Sequence, residues 1–182
     1  MRLPAALLLS LASCASATLV PIEPRHPLPS YRGPVVTLFD DSIDIQPPSA
    51  GFEPGASPAD SELLRQRTQL GDCVARVRVV TITSTQSQGG VSWQIGLHTL
   101  ETLAGDSPVG ADWTLRVADQ GEAAGALRVL GGHLIERPFI AFLRRFAGPQ
   151  PGSEGELHFH LAAEDQDQLG AVRVAALLAQ VK

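Results

Sequence analysis

Cys73-Val74-Ala75-Arg76-Val77-Arg78-Val79-Val80 is the stretch whose reading decides the fold. Cys73, Ala75, Val77 and Val79 alternate with Val74, Arg76, Arg78 and Val80, and a period of two is the signature of a strand with one buried face. Both arginines fall on the same face. The apolar parity changes near Val79-Val80, which predicts a bulge that re-aims the strand. After the loop Gln88-Gly89-Gly90, the residues Val91, Trp93, Ile95 and Leu97 alternate with Ser92, Gln94, Gly96 and His98. The two runs predict a hairpin with Val77 and Trp93 in its core and with Arg76, Arg78 and Gln94 turned away. A one-residue slip would put every apolar side chain into water, so this register is strongly specified.

Working outward, Trp113-Thr114-Leu115-Arg116-Val117 predicts a further strand and Glu122 to Leu130 a short helix, weakened by Gly125. His133 to Phe146 is an apolar-rich strand candidate interrupted by Pro138, which predicts an edge position or a bulge. Pro149 to Gly155 is a loop. Leu157, Phe159 and Leu161 then face inward, opposite His158 and His160. A C-terminal helix near 165–181 is capped by Asp165, and its packing stripe is Leu169, Val172, Ala176 and Leu177, widened by Val174 and Leu178. On the other side of the hairpin, Val35 to Phe39 is β-branched and aromatic and predicts the first strand. A turn-rich stretch leads to a short helix near 58–70, with Ser57 as N-cap, Pro58 at N1, an inward side of Leu63, Leu64 and Leu70, and Gly71 as its end. The expected fold class is α+β: a mostly antiparallel curved sheet or small open β-barrel, with the last helix over one face or end.

The N-terminus says where such a domain would be held. Arg2 precedes a short apolar run, Leu3 to Ser10, and Leu11-Ala12-Ser13-Cys14 follows it. The run is about half of the ~20 residues a membrane-spanning helix needs, so it reads as a cleaved secretory signal. All four residues 11–14 match a lipobox, and in this segment the chain resembles bacterial lipoproteins. The resemblance implies cleavage before Cys14, a diacylglycerol on its thiol and an acyl chain on its freed amine. Ala15 in place of Asp after the cysteine implies sorting to the outer membrane of a Gram-negative envelope. Ala15-Ser16-Ala17 is a competing site for ordinary signal peptidase, and cutting there would release a soluble protein.

Residues 1–13 are thus expected to be the signal, 14–34 a lipidated tether, and 35–182 a single domain. Pro21, Pro24, Pro27, Pro29 and Pro34 favour an extended tether, reaching up to ~60 Å at ~3.1 Å per residue. The domain has about 150 residues, enough to bury roughly 70% of its unfolded surface. Loss of Arg2 leaves 13 basic against 19 acidic side chains, so the net charge moves from −5 to −6. That balance argues against nucleic acid and against anionic lipid head groups. With Cys14 lipidated, Cys73 has no intramolecular disulfide partner.

Each pattern that could carry chemistry has a plainer explanation. His158 and His160 share one strand face, about 7 Å apart by the usual rise, and with His133 are the candidate metal ligands. A zinc site needs three or four ligands, and the same residues also fit the solvent side of a strand. Asp40, Asp41 and Asp44 lack the glycine and terminal glutamate of a calcium loop and read as a solvated turn. Gly105-Asp106-Ser107-Pro108 resembles the nucleophile block of GDSL-type hydrolases, but no D-x-x-H follows it. Cys73 opens an apolar inward face and reads as a buried thiol, and Arg144-Arg145 as exposed or internally paired. No catalytic set and no cofactor is expected. The leading expectation is a membrane-anchored module that binds or assembles with an envelope protein. A small-ligand or lipid carrier lined by Trp93, Trp113 and Phe142 is the alternative, and a metal-dependent or hydrolytic enzyme the third.

Overall fold

The computed structural model describes residues 27–45, 61–88, 90–106, 110–150 and 155–180. Through them the chain forms α1 (Val35–Leu38), β1 (Ser42–Asp44), α2 (Glu62–Leu70), β2 (Cys73–Ser87), β3 (Gly90–Gly105), β4 (Asp112–Val117), α3 (Glu122–Leu134), β5 (Pro138–Phe146), β6 (Glu156–Ala163) and α4 (Gln166–Gln180). The strands make one open six-stranded sheet in the order β1-β6-β5-β2-β3-β4. Every neighbouring pair is antiparallel except β1 with β6. The expected lipobox with Cys14, the part of the expected tether before residue 27, Ser57 and Pro58, and Ser107 and Pro108 lie outside the described residues.

The hairpin forms in the predicted register. Val77, Val79, Trp93, Ile95 and Leu97 are buried together, while Gln94 is exposed and Arg76 and Arg78 face away, half-buried. The predicted bulge is present: Val79 pairs with Leu97 and Thr81 with Gly96, which leaves Val80 without an opposite residue. The inserted residue restores the apolar parity, so Ile82 opposes Ile95 on the buried face.

Helices cover both faces of the sheet. On one face α3 packs Ala123, Ala124, Leu127 and Leu134 against Ala75, Val77, Ile95, Phe159 and Leu161. On the other, α1, α2 and α4 bring Leu38, Leu64, Leu169 and Val172 onto Val74, Ile140, Phe142 and Ala162. Phe139 to Leu143 is therefore buried at every position, which is why β5 reads as a continuous apolar run and not as an alternation.

That two-sided cover accounts for most departures from the sequence expectations. Val35 to Leu38 is a helical turn rather than a strand, entered through Gly33 at φ 71° and Pro34. Burial of Leu38 and Phe39 overrides the local β propensity. The first strand is instead Ser42–Asp44. Helix α2 starts at Glu62, where Ser61 accepts from the Leu64 amide at 3.4 Å, and Gly71 ends it. Its inward residues are Leu64 and Thr68, whereas Leu63 and Leu70 are exposed. Helix α3 continues to Leu134, so His133 belongs to a helix and β5 begins only at Pro138. Pro138 opens a strand in the middle of the sheet, since the first residue of a strand tolerates a missing donor as an edge does. Asp165 caps α4 as predicted, accepting from the Gln168 amide at 2.7 Å. The stripe of α4 is narrower than expected: Leu169, Val172 and Ala176 are buried, but Val174, Leu177 and Leu178 are 53–63% exposed.

Candidate functional site

Strand β6 sets His158 and His160 on the face covered by α1 and α2, beside Arg144 and Phe142 of β5. On its other side β1 places Ser42 opposite His160. This geometry corrects two expectations at once. The histidines do not form an exposed strand face: His160 is only 2% exposed and His158 is half-buried. Nor do the aspartates form a merely solvated turn, because all three contact the two imidazoles.

Asp40 and Asp41 follow α1 directly, and each takes one histidine. The Asp41 backbone is left-handed at φ 53°, a conformation that Asp adopts more easily than most residues. From there Asp41 Oδ1 accepts from the Phe159 amide at 3.0 Å, and its own amide donates to the Phe159 carbonyl at 2.9 Å. Its Oδ2 lies 2.8 Å from His158 Nδ1. His160 Nδ1 lies 2.9 Å from Ser42 Oγ and 3.2 Å from Asp40 Oδ1, while Nε2 lies 3.3 Å from Asp44 Oδ2. Ser42 Oγ donates to Asp40 Oδ1 at 2.7 Å.

Charges around the cluster are matched. Burial works to raise the Asp40 carboxyl, but hydrogen bonds from His160 and Ser42 and the charges of His160 and Arg67 outweigh it and hold it at about 2. The His160 hydrogen bond lowers Asp44 in the same direction, against burial. Arg67 reaches over from α2, its Nε donating to the Leu38 carbonyl at 2.8 Å. Burial lowers its pKa, and Asp40 and Asp44 oppose that shift.

Tyr31 closes the cluster from a stretch the sequence assigns to the tether. Ala147 donates its amide to the Pro29 carbonyl at 2.8 Å, and Ser30 bridges to Ala147, which lays this segment against the end of β5. The Tyr31 ring then stacks on His158, with centroids 3.5 Å apart and planes 12° from parallel. Its hydroxyl donates to the Phe39 carbonyl at 2.6 Å. Burial, then the charges of Asp41 and Asp40, push that hydroxyl up to about 12.

The order Ser42, His160, Asp44 is that of a nucleophile, base and acid chain, but the details do not fit such a role. The Ser42 hydrogen points to Asp40, away from the imidazole that would have to take it. The imidazole is enclosed and faces a carboxylate on each side. His133, the third candidate ligand, sits on α3 across the sheet from His158 and His160. Among the described residues, no group of three or more His, Cys, Asp or Glu is arranged to hold a metal ion. Cys73 is a buried thiol of the α3-side core. The three aromatics of the carrier alternative do not line one pocket, since Trp93 and Trp113 pack on the α3 side and Phe142 on the opposite side.

Two groups near the cluster have buried polar atoms without hydrogen-bond partners: His158 Nε2, and Nε and Nη1 of Arg144, whose guanidinium lies 5.4 Å from the Phe146 ring centre. The signal that could have found the cluster is a matched period of two, Asp40-x-Ser42-x-Asp44 against His158-x-His160. No helix among the described residues is long and apolar enough to cross a membrane. The chain matches no protein-family model, no curated protein and no solved structure.

Proposed function

We propose that the chain is a cell-envelope lipoprotein, anchored through lipid on Cys14, whose domain is a non-enzymatic binding or assembly module for another envelope protein. The observation that carries the anchor is the complete Leu11-Ala12-Ser13-Cys14 segment after a short apolar run. The module is favoured over an enzyme because the richest polar cluster is spent on itself: Ser42, His160, Asp40 and Asp44 take one another as partners. Such a cluster fastens β1 to β6 and leaves neither nitrogen of the His160 imidazole free for a substrate.

The anchor is tested by metabolic labelling with a fatty-acid probe in a Gram-negative host. The wild-type chain is expected to label and to fractionate with the outer membrane, and Cys14→Ser to lose all label and accumulate unprocessed. An unlabelled wild-type protein in the soluble periplasm, beginning at Thr18, would establish ordinary secretion instead. Native mass spectrometry of protein purified from its own host separates the roles. A polypeptide partner supports a binding module, and a retained small molecule supports a carrier. A bound metal lost in the His158→Ala, His160→Ala double variant would turn the assignment towards an enzyme.

A further inference from the structure

Strand β2 is longer than the sheet that flanks it. Its pairing with β5 runs from Cys73 to Arg78, and two backbone hydrogen bonds with Glu136 and Arg137 carry the contact as far as Val79. Beyond that point, among the described residues, no strand or bridge pairs with the outer side of Val80 to Gln86, although Thr81 to Gln86 remain paired to β3 on the inner side. The equivalent side of β3 is closed by β4 from Trp93 to His98 and by Asp119, which lies against Gly90. Among the described residues, the loop end of the hairpin therefore presents an open edge on β2.

Among the described residues, that edge carries no charge, proline or covering loop, and its bulge at Val80 lies only at its start. Natural edge strands are blunted by lysine, proline, inward charges or a covering loop, because unpaired amides and carbonyls template another strand. Val80-Thr81-Ile82-Thr83-Ser84-Thr85-Gln86-Ser87 contains no charge and no proline. The neutrality extends further: residues 79–97 hold no Asp, Glu, Lys, Arg or His, in a chain that is 18% charged. Thr81 and Thr83 to Ser87 are exposed.

We propose that this edge pairs with the same edge of a second copy, giving a two-fold antiparallel dimer whose sheet runs through both chains. Neutrality is what selects a second copy over a foreign strand. In an isologous interface the same patch meets itself, so any ionised side chain near the axis would lie close to its own symmetry mate. An edge that recruits a different partner has no such constraint and gains selectivity from charge. Threonine and serine opposite one another are favourable cross-strand pairs. The rest of the acidic surface repels a second copy and leaves this span as the approach. Seven residues, Val80 to Gln86, make a contact well below the ~800 Å² per partner of a standard interface. The dimer is accordingly weak in dilute solution and gains from confinement to one membrane surface, a point that rests on the proposed anchor.

Cysteine scanning in the native envelope tests the pairing. Single cysteines at positions 81 to 86 of the full chain are oxidised in situ, with the unsubstituted chain as control. One self-opposed position is expected to give a disulfide dimer of twice the chain mass, with yield falling sharply two residues to either side. Adding lysines two residues to either side of that position should cut the yield about tenfold, because each then lies directly opposite a lysine of the second copy, without moving the thermal melt. No dimer at any position, equal yields at all six, or indifference to the two lysines would overturn the proposal. So would cross-linking to a polypeptide of different mass, which would give the edge to a foreign strand. A dimer in the unsubstituted control would report a free Cys14 and count against the anchor, leaving the position-dependent pattern to judge the edge.

Discussion

Trp93→Ala is expected to destabilise the protein by about 3–5 kcal/mol, the range of large aromatic truncations in well-packed cores. Trp93 is buried in the α3-side core, between Ser84 of β2 and Val117 of β4. It is also the platform for Arg128, whose guanidinium lies 5.3 Å from the ring centre while its Nη2 donates to the Asp119 carbonyl at 2.7 Å. Truncation thus leaves a cavity towards the loop end of the hairpin and removes one of the two supports that hold α3's Arg128. Arg76 is the control on the opposite face. The alternation alone would make Arg76→Ala nearly neutral, but its Nε lies 2.5 Å from Glu164 Oε2, and the Glu164 side chain is nearly buried. A charge-assisted hydrogen bond of this kind contributes about 1.5–3 kcal/mol when enclosed. Arg76 is about one-third exposed, so solvent screening reduces the expected loss to about 1 kcal/mol. Urea unfolding at constant m-value reads both changes. A larger loss for Arg76 than for Trp93 would mean that the register of β2 on β3 is not the one described.

The hairpin was legible because each of its faces meets a different environment, and a period of two records that difference directly. The same rule misled wherever both faces are covered. At Phe139 to Leu143 and at His160 there is no solvent side, so alternation carries no information about exposure. The strand β1 is three residues long and hidden in a polar run, Asp40-Asp41-Ser42-Ile43-Asp44, that supplies only one apolar side chain to the core. Its identity depends on partners nearly 120 residues away, which no local pattern encodes. Val35 to Phe39 shows the converse. Its β-branched composition is a true local preference, overridden because Leu38 and Phe39 are buried from a helical turn beneath Tyr31 and Arg67. Residues drawn from the turn, the tether and a late strand make the candidate cluster, so its components were visible separately and their meeting was not.

His160→Ala is expected to cost about 2–3 kcal/mol and to change how the fold responds to acid. The imidazole is buried between Asp40 and Asp44 and accounts for contacts from β1 to β6 beyond the short parallel ladder. Removing one member of an enclosed ion pair costs about 3–5 kcal/mol, and the aspartates here keep part of their hydration, which moderates the loss. Ser42→Ala removes one neutral hydroxyl and should cost about 1 kcal/mol. Because β1 has so little else to hold it, amide exchange at Ile43 should accelerate in His160→Ala more than exchange in β5. The acid response follows from Asp40, whose carboxyl is lowered from 3.8 to about 2 in the fold. A depressed carboxyl contributes stability that is fully present above its unfolded value and is lost as pH falls through its folded value. The wild-type protein should therefore lose stability between about pH 4 and about pH 2. In His160→Ala the hydrogen bond and charge that depress Asp40 are gone, its carboxyl returns upward, and this part of the acid loss flattens. The gap in unfolding free energy between wild type and variant should then narrow as pH falls from about 5 to about 2. A gap that stayed constant over that range would mean that His160 does not hold the Asp40 charge, and that β1 is fastened by its backbone ladder alone.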